Sequence, residues 1–364
     1  MRSFGDWPRS LERGVRTLNR GARLYGKNGS WRAWVQGTAY ILRRLAGRAL
    51  PLSVCLATTY RCQCHCSHCY AAAKERENAD EMSTAETRVL IDELRALGAI
   101  HLNFTGGEPL LREDILDLVA HAHAKGLITR ISTNGYLLTR ERVASLRRAG
   151  LNQCGIAIDD ADPDTHDRLR GLPGLFERAI GGFRLLHEYG IESRLMTYAC
   201  HGNMPQGMER ILDLARRLRI QSVHINFPYA SGLWAESFDE IFSNDDMDRL
   251  RKFQRFMKSP LVLLEFPTPE ARCLVAKKSF IYINASGEVT PCPVVPYVIG
   301  NVRAEPLAHI WKRHVDILRL DYRGNCPINE SAGREAMRAH AASVSSRIPR
   351  RSGVRADAKE SRYS

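Results

Sequence analysis

The chain has 364 residues, of which 44% are hydrophobic and 8% aromatic, enough to bury one large core and a smaller appended unit. This composition excludes a purely disordered or fibrous protein. The net charge of +13 belongs to the two ends, because residues 1–50 carry +9 and residues 331–364 carry +5, which leaves −1 for the body between them. We therefore expect no specific nucleic acid as a partner.

The first fifty residues form a basic leader that is predicted to be partly helical. Within residues 31–50, apolar side chains recur near helical spacing with arginines between them. Such a helix packs its apolar stripe against the rest of the protein, which we favour, or lies on an anionic membrane surface. The leader lacks the apolar core of a signal peptide, and no segment approaches the roughly 18 consecutive apolar residues of a membrane-spanning helix. We therefore expect a cytoplasmic protein, peripheral to the membrane in the second case.

Short β-branched runs alternate with longer segments of helical period between residues 52 and 227. Six strands are predicted, at residues 52–58, 100–105, 127–132, 153–158, 191–198 and 221–227. The alternation predicts an α/β fold whose parallel sheet has right-handed crossovers. Because the pattern loses its regularity after about residue 265, we expect a partial (β/α)6 TIM-like barrel over residues 51–265 rather than a complete eightfold barrel.

Unusual loops follow the first four predicted strands. They read, in chain order, RCQCHCSHCY, TGGEP, STNG and DDADPDTHDRLRG. The carboxyl ends of parallel strands meet at one edge of a sheet, and reactive groups of α/β folds collect there. The sequence therefore predicts that these four segments form one active-site mouth.

The first of these loops carries Cys62, Cys66 and Cys69 in a C-x3-C-x2-C arrangement. Crowded cysteines in a long chain without an export signal indicate metal or redox chemistry rather than a disulfide framework. Three thiolates on one short loop can bind three irons of a [4Fe–4S] cluster and leave the fourth iron open to a small molecule. The alternative from spacing alone is a structural zinc site, for which Cys64 would have to act as the fourth ligand.

The pattern changes beyond the predicted barrel. Residues 266–330 are predicted to form a small β-hairpin and helix module, because two short strand-like runs flank a Ser-Gly turn at residues 286–287. The last segment, residues 331–364, is rich in Arg, Ser and Ala and has no sustained apolar stripe. We expect that basic tail to be disordered.

Together, these motifs resemble the radical S-adenosylmethionine (radical SAM) superfamily. The resemblance rests on the three-cysteine loop after the first strand and on the GGEP segment at residues 106–109 after the second. The STNG segment at 132–135 and the HDRLRG segment at 166–171 extend it. The likeness covers about residues 52–260, and the joint occurrence of the motifs leaves zinc a minor alternative.

The resemblance implies a role for each matching position. Cys62, Cys66 and Cys69 would bind the [4Fe–4S] cluster, whose open iron chelates the methionine moiety of S-adenosylmethionine (SAM). Two glycines would let the backbone approach the methionine ammonium, and His68 would stack near the adenine, where the family usually has an aromatic residue. Glu108 would supply negative charge or an acceptor. The implied SAM-binding residues are His68, Gly106, Gly107, Glu108, Pro109, Ser132, Asn134 and Asp159.

The appended module resembles the SPASM or twitch extension, which binds auxiliary iron–sulfur clusters. The likeness begins at Cys273 and Cys292 and continues through residues 299–311. Full SPASM domains then carry a crowded run of cysteines, whereas this chain has only Cys326 there. The resemblance implies one auxiliary cluster bound by Cys273, Cys292 and Cys326. The alternative is a module that has lost its cluster and keeps these cysteines as buried thiols.

The resemblance also implies an activity. The enzyme would cleave SAM reductively to a 5′-deoxyadenosyl radical, which abstracts hydrogen from a substrate, with flavodoxin or ferredoxin as the electron donor. The sequence leaves the substrate open between a small molecule or lipid, which the basic leader slightly favours, and a peptide that undergoes maturation. A hypothesis of another class is a non-catalytic iron–sulfur or zinc-binding regulator or electron carrier. The GGEP segment argues against that class, because such a protein has no need of SAM-binding residues.

Overall fold

The structure is a computed structural model, and it describes residues 46–69, 80–226, 261–264, 278–295 and 298–317 together with a few single residues. Those single residues are Thr38, Tyr40, Leu42, Arg43, Ala71, Val275 and Glu335. Most of the predicted leader and nearly all of the predicted tail lie outside these residues, so both stay predictions. None of the described helices is long and apolar enough to cross a membrane.

Within the described residues, the secondary structure is an alternating series of strands and helices followed by a hairpin and a last helix. The strands are β1 (Ser53–Thr59), β2 (His101–Gly106), β3 (Ile128–Thr133), β4 (Gln153–Ala157), β5 (Glu192–Tyr198), β6 (Ser222–Asn226), β7 (Leu261–Leu264), β8 (Phe280–Ile283), β9 (Glu288–Thr290) and β10 (Gly300–Asn301). The helices are α1 (Thr84–Leu97), α2 (Ile115–Ala124), α3 (Arg140–Arg148), α4 (Pro163–Arg170), α5 (Leu175–Glu188), α6 (Gln206–Arg217) and α7 (Leu307–Ile317).

All of these strands belong to one sheet, in the order β10-β9-β8-β1-β2-β3-β4-β5-β6-β7. The strands from β8 through β1 to β7 run parallel to one another. The predicted α/β class with a mostly parallel sheet is therefore confirmed, and each of the six predicted strands agrees with β1 to β6 within one residue at either end. β7 adds a further parallel strand beside β6, in a region where the sequence pattern is irregular.

The predicted hairpin of the C-terminal module joins the same sheet. β8 pairs with β1 in parallel, with Ser53 opposite Phe280, and β9 returns antiparallel to β8. The hydroxyl groups of Tyr60, next to the end of β1, and Tyr282, on β8, are buried and lie 3.0 Å apart. The module thus extends the barrel sheet at its β1 edge, while the predicted division of the chain at residue 265 stays a prediction.

One face of the sheet packs against the helices and forms the main hydrophobic core. Leu56 of β1 and Phe104 of β2 are fully buried in this core, together with Leu90, Ile91 and Leu94 of α1. Fully burying such side chains stabilises the fold by about 1.5–3 kcal/mol each. The capping box predicted at the start of α1 is present, because Ser83 and Glu86 each accept a hydrogen bond from the other's backbone N–H.

The opposite face of the sheet is polar. Asn103, Arg130, Gln153 and Glu192 lie side by side in register across β2, β3, β4 and β5. Gln153 donates a hydrogen bond to the Glu192 carboxylate at 2.7 Å. From β2 to β5 this face is therefore polar, whereas at β1 and β8 it carries a small second hydrophobic cluster that includes Ala57 and Tyr282. The face leads up to the carboxyl edge where the four unusual loops lie.

Candidate functional site

The cysteine loop, residues 61–69, leaves the carboxyl edge of the sheet directly after β1. The side chains of Cys62, Cys64, Cys66 and Cys69 belong to one contact cluster with the buried Leu175. Among the described residues, no three His, Cys, Asp or Glu side chains converge closely enough to bind a single metal ion. In a [4Fe–4S] cluster each of three cysteines binds a different iron, and three thiols grouped on one loop suit that arrangement.

Cys64 lies between two of the predicted ligands and differs from them in protonation. Its backbone N–H donates to Cys62 Sγ at 3.4 Å. Hydrogen bonding to the Cys64 thiol lowers the pKa of both Cys62 and Cys66, while the same contacts raise the pKa of Cys64 itself. The loop therefore favours thiolates at two predicted ligand positions and a protonated thiol at the position outside the C-x3-C-x2-C spacing.

Backbone hydrogen bonds fasten the cysteine loop to the end of α4. His65 N donates to Arg170 O at 2.9 Å, and Ser67 N donates to Leu169 O at 3.0 Å. α4 itself begins at a side-chain cap, because Asp162 accepts a hydrogen bond from Thr165 N. The loop after β4 and the cysteine loop after β1 are thus one structural unit, although they are distant in sequence.

A buried ion pair lies beside Cys66. Arg170 Nη2 donates to Asp159 Oδ1 at 2.8 Å, and Arg170 Nε lies against the other carboxylate oxygen. Arg170 Nη1 is 3.7 Å from Cys66 Sγ. Burial alone would raise the pKa of Asp159, but the Arg170 guanidinium and the nearby His68 imidazole hold it below its usual range. The ionised carboxylate therefore orients the guanidinium toward the sulfur.

The glycines of the GGEP segment pack against the end of β1. Gly107 N donates to Thr59 O at 2.8 Å, and Glu108 N donates to Arg61 O at 2.9 Å. A Cβ on Gly107 would lie 2.5 Å from Arg61 O, and one on Gly106 would lie even closer to Thr59 O. Glycine is required at both positions because two backbone segments are in direct contact there. The resemblance implies a different reason, namely that glycine lets the backbone approach the methionine ammonium of SAM.

Glu108 is fully buried and joins the loop after β2 to the loop after β3. Its carboxylate accepts hydrogen bonds from Thr133 Oγ1 at 2.8 Å, Asn134 N at 2.8 Å and Leu110 N at 3.0 Å. Burial raises the pKa of Glu108 to about 7. In this structure Glu108 is an acceptor that positions the two loops, with Pro109 buried beside it, and its predicted role toward SAM stays a prediction.

Asn134 connects the third loop to the cysteine loop, as the shared-mouth prediction requires. Its Nδ2 lies 4.0 Å from Cys62 Sγ, and its Oδ1 accepts a hydrogen bond from Gln63 Nε2 at 3.3 Å. Ser132, two residues earlier on β3, instead donates to Asn103 Oδ1 at 3.1 Å on the polar face of the sheet. Asn134 therefore contacts the cysteine loop, whereas Ser132 contacts the polar face of the sheet.

His68 lies between Asp159 and an aromatic residue that the sequence prediction missed. His68 Nε2 is 3.4 Å from Asp159 Oδ2, and the imidazole packs against Tyr198 with ring centroids 4.2 Å apart and ring planes tilted by 42°. Burial lowers the pKa of His68 to about 4, so the ring is neutral near pH 7. Tyr198 ends β5, and its place at the carboxyl edge is the signal that could have identified it. The predicted stacking of His68 on adenine stays a prediction.

Cys292 belongs to a different part of the molecule. It follows β9, packs against the main core, and its carbonyl accepts hydrogen bonds from Thr290 Oγ1 at 2.9 Å and Val295 N at 3.3 Å. Cys273 and Cys326, the other predicted ligands of an auxiliary cluster, lie outside the described residues. The auxiliary site therefore stays a prediction.

Comparison with known proteins agrees with this geometry. The sequence model of the radical SAM superfamily matches residues 56–218, and the SPASM model, an iron–sulfur cluster-binding domain, matches residues 273–328. An AdoMet-dependent heme synthase of Nitratidesulfovibrio vulgaris is 30% identical over 300 residues, which cover 74% of this chain and 82% of the relative. The chain belongs to the radical SAM superfamily.

Two further similarities place this radical SAM enzyme among its relatives. An Fe-coproporphyrin III synthase of Methanosarcina barkeri is 42% identical over 165 residues, which cover 45% of this chain and 41% of the relative. The crystal structure of Streptococcus suis SuiB bound to the precursor peptide SuiA superposes with a TM-score of 0.64, covering 80% of this chain and 76% of SuiB. The identity to SuiB is 16%, so this second similarity shows the fold alone.

Membership of the superfamily confirms the predictions that the chain is an enzyme and that it uses a [4Fe–4S] cluster with SAM. The SPASM match likewise supports an iron–sulfur cluster in the C-terminal part of this radical SAM enzyme. Neither match says which residues bind these groups. The roles of the individual site residues therefore stay predictions.

Proposed function

We propose that this enzyme uses Cys62, Cys66 and Cys69 to hold the [4Fe–4S] cluster at which SAM is cleaved, and that it abstracts hydrogen from a small-molecule substrate of the iron-porphyrin class. The observation that carries the proposal is the grouping of these three thiols on a loop that hydrogen bonds with the loops after β2, β3 and β4 hold in place. When bound, the cluster supplies the electron that breaks the sulfur–C5′ bond of SAM.

The residues of the chain orient the reactants and keep the site in shape. The carboxylate of Glu108 fixes the loops after β2 and β3, and Asn134 links the second of these to the cysteine loop. We propose that the backbone of Gly106 and Gly107 and the side chains of Ser132 and Asn134 line the SAM site. Because Glu108 and Asp159 are buried, the cofactor side of this mouth is shielded from water.

The iron-porphyrin class is favoured by the relatives. The heme synthase aligns with 74% of this chain, and the Fe-coproporphyrin III synthase shows higher identity over a shorter segment. A peptide substrate is the second hypothesis, but the similarity to SuiB shows the fold alone. A low-potential donor such as flavodoxin or ferredoxin is the partner that the reduction needs, and membrane contact through residues 31–50 stays a prediction.

The cluster assignment is tested by removing one cysteine at a time. After anaerobic reconstitution, we expect Cys66→Ala to lose the electron paramagnetic resonance (EPR) signal that shifts with SAM, and to form no 5′-deoxyadenosine. The matched control is Cys154→Ala, which removes a cysteine buried in the core away from the loop. If Cys66→Ala binds as much iron and cleaves SAM as fast as the control, the assignment is wrong.

The substrate class is tested separately with the wild-type enzyme. Fe-coproporphyrin III should raise the yield of 5′-deoxyadenosine several-fold above the uncoupled level, and mass spectrometry should show a changed porphyrin. An unchanged yield and an unchanged porphyrin, in an enzyme that still cleaves SAM, would overturn the porphyrin assignment and leave the cluster assignment standing. The same assay with candidate precursor peptides addresses the second hypothesis.

A further inference from the structure

Neither SAM binding nor the anchoring of the cysteine loop explains why an arginine lies at residue 170. Its side chain is only 14% exposed, and its guanidinium contacts both the Asp159 carboxylate and Cys66 Sγ. A buried guanidinium is costly unless it is paired, and the Asp159 carboxylate provides that pairing. The loop itself is held by the backbone carbonyls of Leu169 and Arg170, which any side chain at residue 170 would leave in place.

The geometry of the ion pair leaves one donor for the sulfur. Nη2 of Arg170 donates to Asp159 Oδ1, and Nε lies against the other carboxylate oxygen, so both groups face the carboxylate of Asp159. Nη1 is then directed away from the carboxylate and lies 3.7 Å from Cys66 Sγ. The orientation is rigid because Asp159 is fixed in turn, its backbone N–H donating to His166 Nδ1 at 3.1 Å.

We propose that Arg170 sets the reduction potential of the catalytic cluster by donating a hydrogen bond from Nη1 to the sulfur of Cys66. The inference rests on the proposed function, because it takes Cys66 as a cluster ligand. Hydrogen bonds to ligand sulfurs and nearby charge are among the factors that set the potential of an iron–sulfur cluster. Reduction adds one negative charge, so a cationic donor stabilises the reduced form and raises the potential.

The chain offers a matched control on the same helix. Arg168 is exposed, and its guanidinium donates to Thr165 Oγ1 at 3.2 Å. Arg168→Gln and Arg170→Gln therefore change the net charge equally, but only the second removes a donor from the sulfur. Arg170→Lys retains the charge and loses the planar fork, so it separates the effect of charge from that of the directed hydrogen bond.

The experiment is an EPR-monitored redox titration of the full chain, reconstituted anaerobically and without SAM, so that SAM binding does not enter. We expect Arg170→Gln to lower the equilibrium constant for one-electron reduction about tenfold, which is about 59 mV toward more negative potential. Arg170→Lys should lie between Arg170→Gln and wild type. Arg168→Gln should match wild type.

Each outcome decides the inference. A fully loaded Arg170→Gln cluster with the potential of Arg168→Gln would overturn it. If Arg170→Gln does not retain iron, Arg170→Lys decides: a potential below that of Arg168→Gln supports the proposal, and an equal potential overturns it. Failure of the proposed function looks different, because Cys66→Ala would then keep its iron and its SAM-responsive EPR signal.

Discussion

The two regions of the chain that carry predicted cluster ligands are held in the fold in different ways. The cysteine loop is fixed by buried polar contacts from separate loops, through Glu108, Asn134, Asp159 and Arg170. The C-terminal module around Cys292 is fixed by backbone pairing, because β8 extends the sheet beside β1. The loop depends on isolated contacts, some through single side chains and some between backbone groups of separate loops, whereas the module depends on a continuous ladder of strand pairing.

The side-chain contacts of the module lie nearer to solvent. Arg303 pairs with the carboxylates of Asp80 and Glu86, both at 2.8 Å, and donates to Glu81 O at 2.9 Å. Asp80 and Glu86 are each more than one-third exposed. The hydrogen bond from Arg303 nevertheless lowers the pKa of Glu86 to about 2. Because water can replace part of such contacts, single substitutions in the module should lower the free energy of unfolding less than substitutions in the cysteine loop.

The largest effect is expected where the cysteine loop meets the GGEP segment. In Gly107→Ala the new methyl group would meet the Arg61 carbonyl oxygen, so we expect unfolding free energy to fall by about 2–3 kcal/mol and iron binding to be lost. Gly181→Ala is the control, because that glycine of α5 has no atom within 4 Å of a built Cβ. It should be neutral or stabilising by up to about 1 kcal/mol. Equal denaturation midpoints in the two variants would contradict the close-contact explanation.

An effect of similar size on stability concerns pH. Since burial raises the pKa of Glu108 to about 7 from 4.5, the unfolded chain releases this proton at lower pH than the folded protein does. As pH rises from about 4.5 to about 7, the free energy of unfolding should therefore fall by about 3 kcal/mol, and this contribution should stay level above that range.

Denaturation curves measured across this pH range test the assignment. Glu108→Gln has no proton to release, so its free energy of unfolding should no longer fall over this pH range. The control is Glu177→Gln, which removes an exposed carboxyl on α5 and should keep the pH dependence of the wild type. A slope that persists in Glu108→Gln would show that another group causes it.

A smaller effect is expected from the contact that ties the module to the start of α1. Arg303→Ala removes hydrogen bonds from a side chain that is 7% exposed, but its carboxylate partners remain hydrated, so we expect a loss of about 1–2 kcal/mol. Iron at the catalytic site should be retained, in contrast to Gly107→Ala. Arg216→Ala, which breaks an exposed pair with Asp213, should change stability by less than about 1 kcal/mol. Loss of the SAM-responsive signal in Arg303→Ala would show that the two regions are not independent.

The smallest effect is expected at a glycine of the C-terminal module, which can be compared with Gly107 of the GGEP segment. Gly287 lies in the turn between β8 and β9 at φ +88, and a Cβ there would lie 3.1 Å from atoms of Asn301 and Val302. Gly287→Ala should cost about 1 kcal/mol, and Gly287→Asn should cost less because Asn tolerates positive φ better. Thermal melting of the two variants measures the difference. Equal melting temperatures would mean that the local contacts, and not the backbone angle, determine the cost.

Local signals in the sequence were sufficient for much of the fold. Periodicity located β1 to β6, and the Ser83 and Glu86 pattern located the start of α1, because both depend on residues close in sequence. The same signals could not assign the partner of β8, since a hairpin pattern says nothing about which distant strand it joins. β7 was not predicted, because its four residues are too few to show the two-residue hydrophobic period of a strand.

The candidate site was predicted in part. Strand order places the loops of Cys62, Asn134 and Asp159 at one edge, and the structure brings these loops together. Three other features depend on packing between segments that are distant in sequence. They are the direction of the Glu108 side chain, the contact of Arg170 with Cys66 and the packing of Tyr198 against His68. No pattern along the chain encodes such directions, so these roles became visible only in three dimensions.

The parallel pairing of β8 with β1 has a consequence for the newly made polypeptide. Until the ribosome has delivered residue 283, the strand that leads into the cysteine loop is an open edge with unpaired backbone groups. The buried tyrosine contact beneath that loop also forms only then. The nascent chain therefore carries the segment of Cys62, Cys66 and Cys69 beside an unfinished, aggregation-prone edge until β8 has paired with β1.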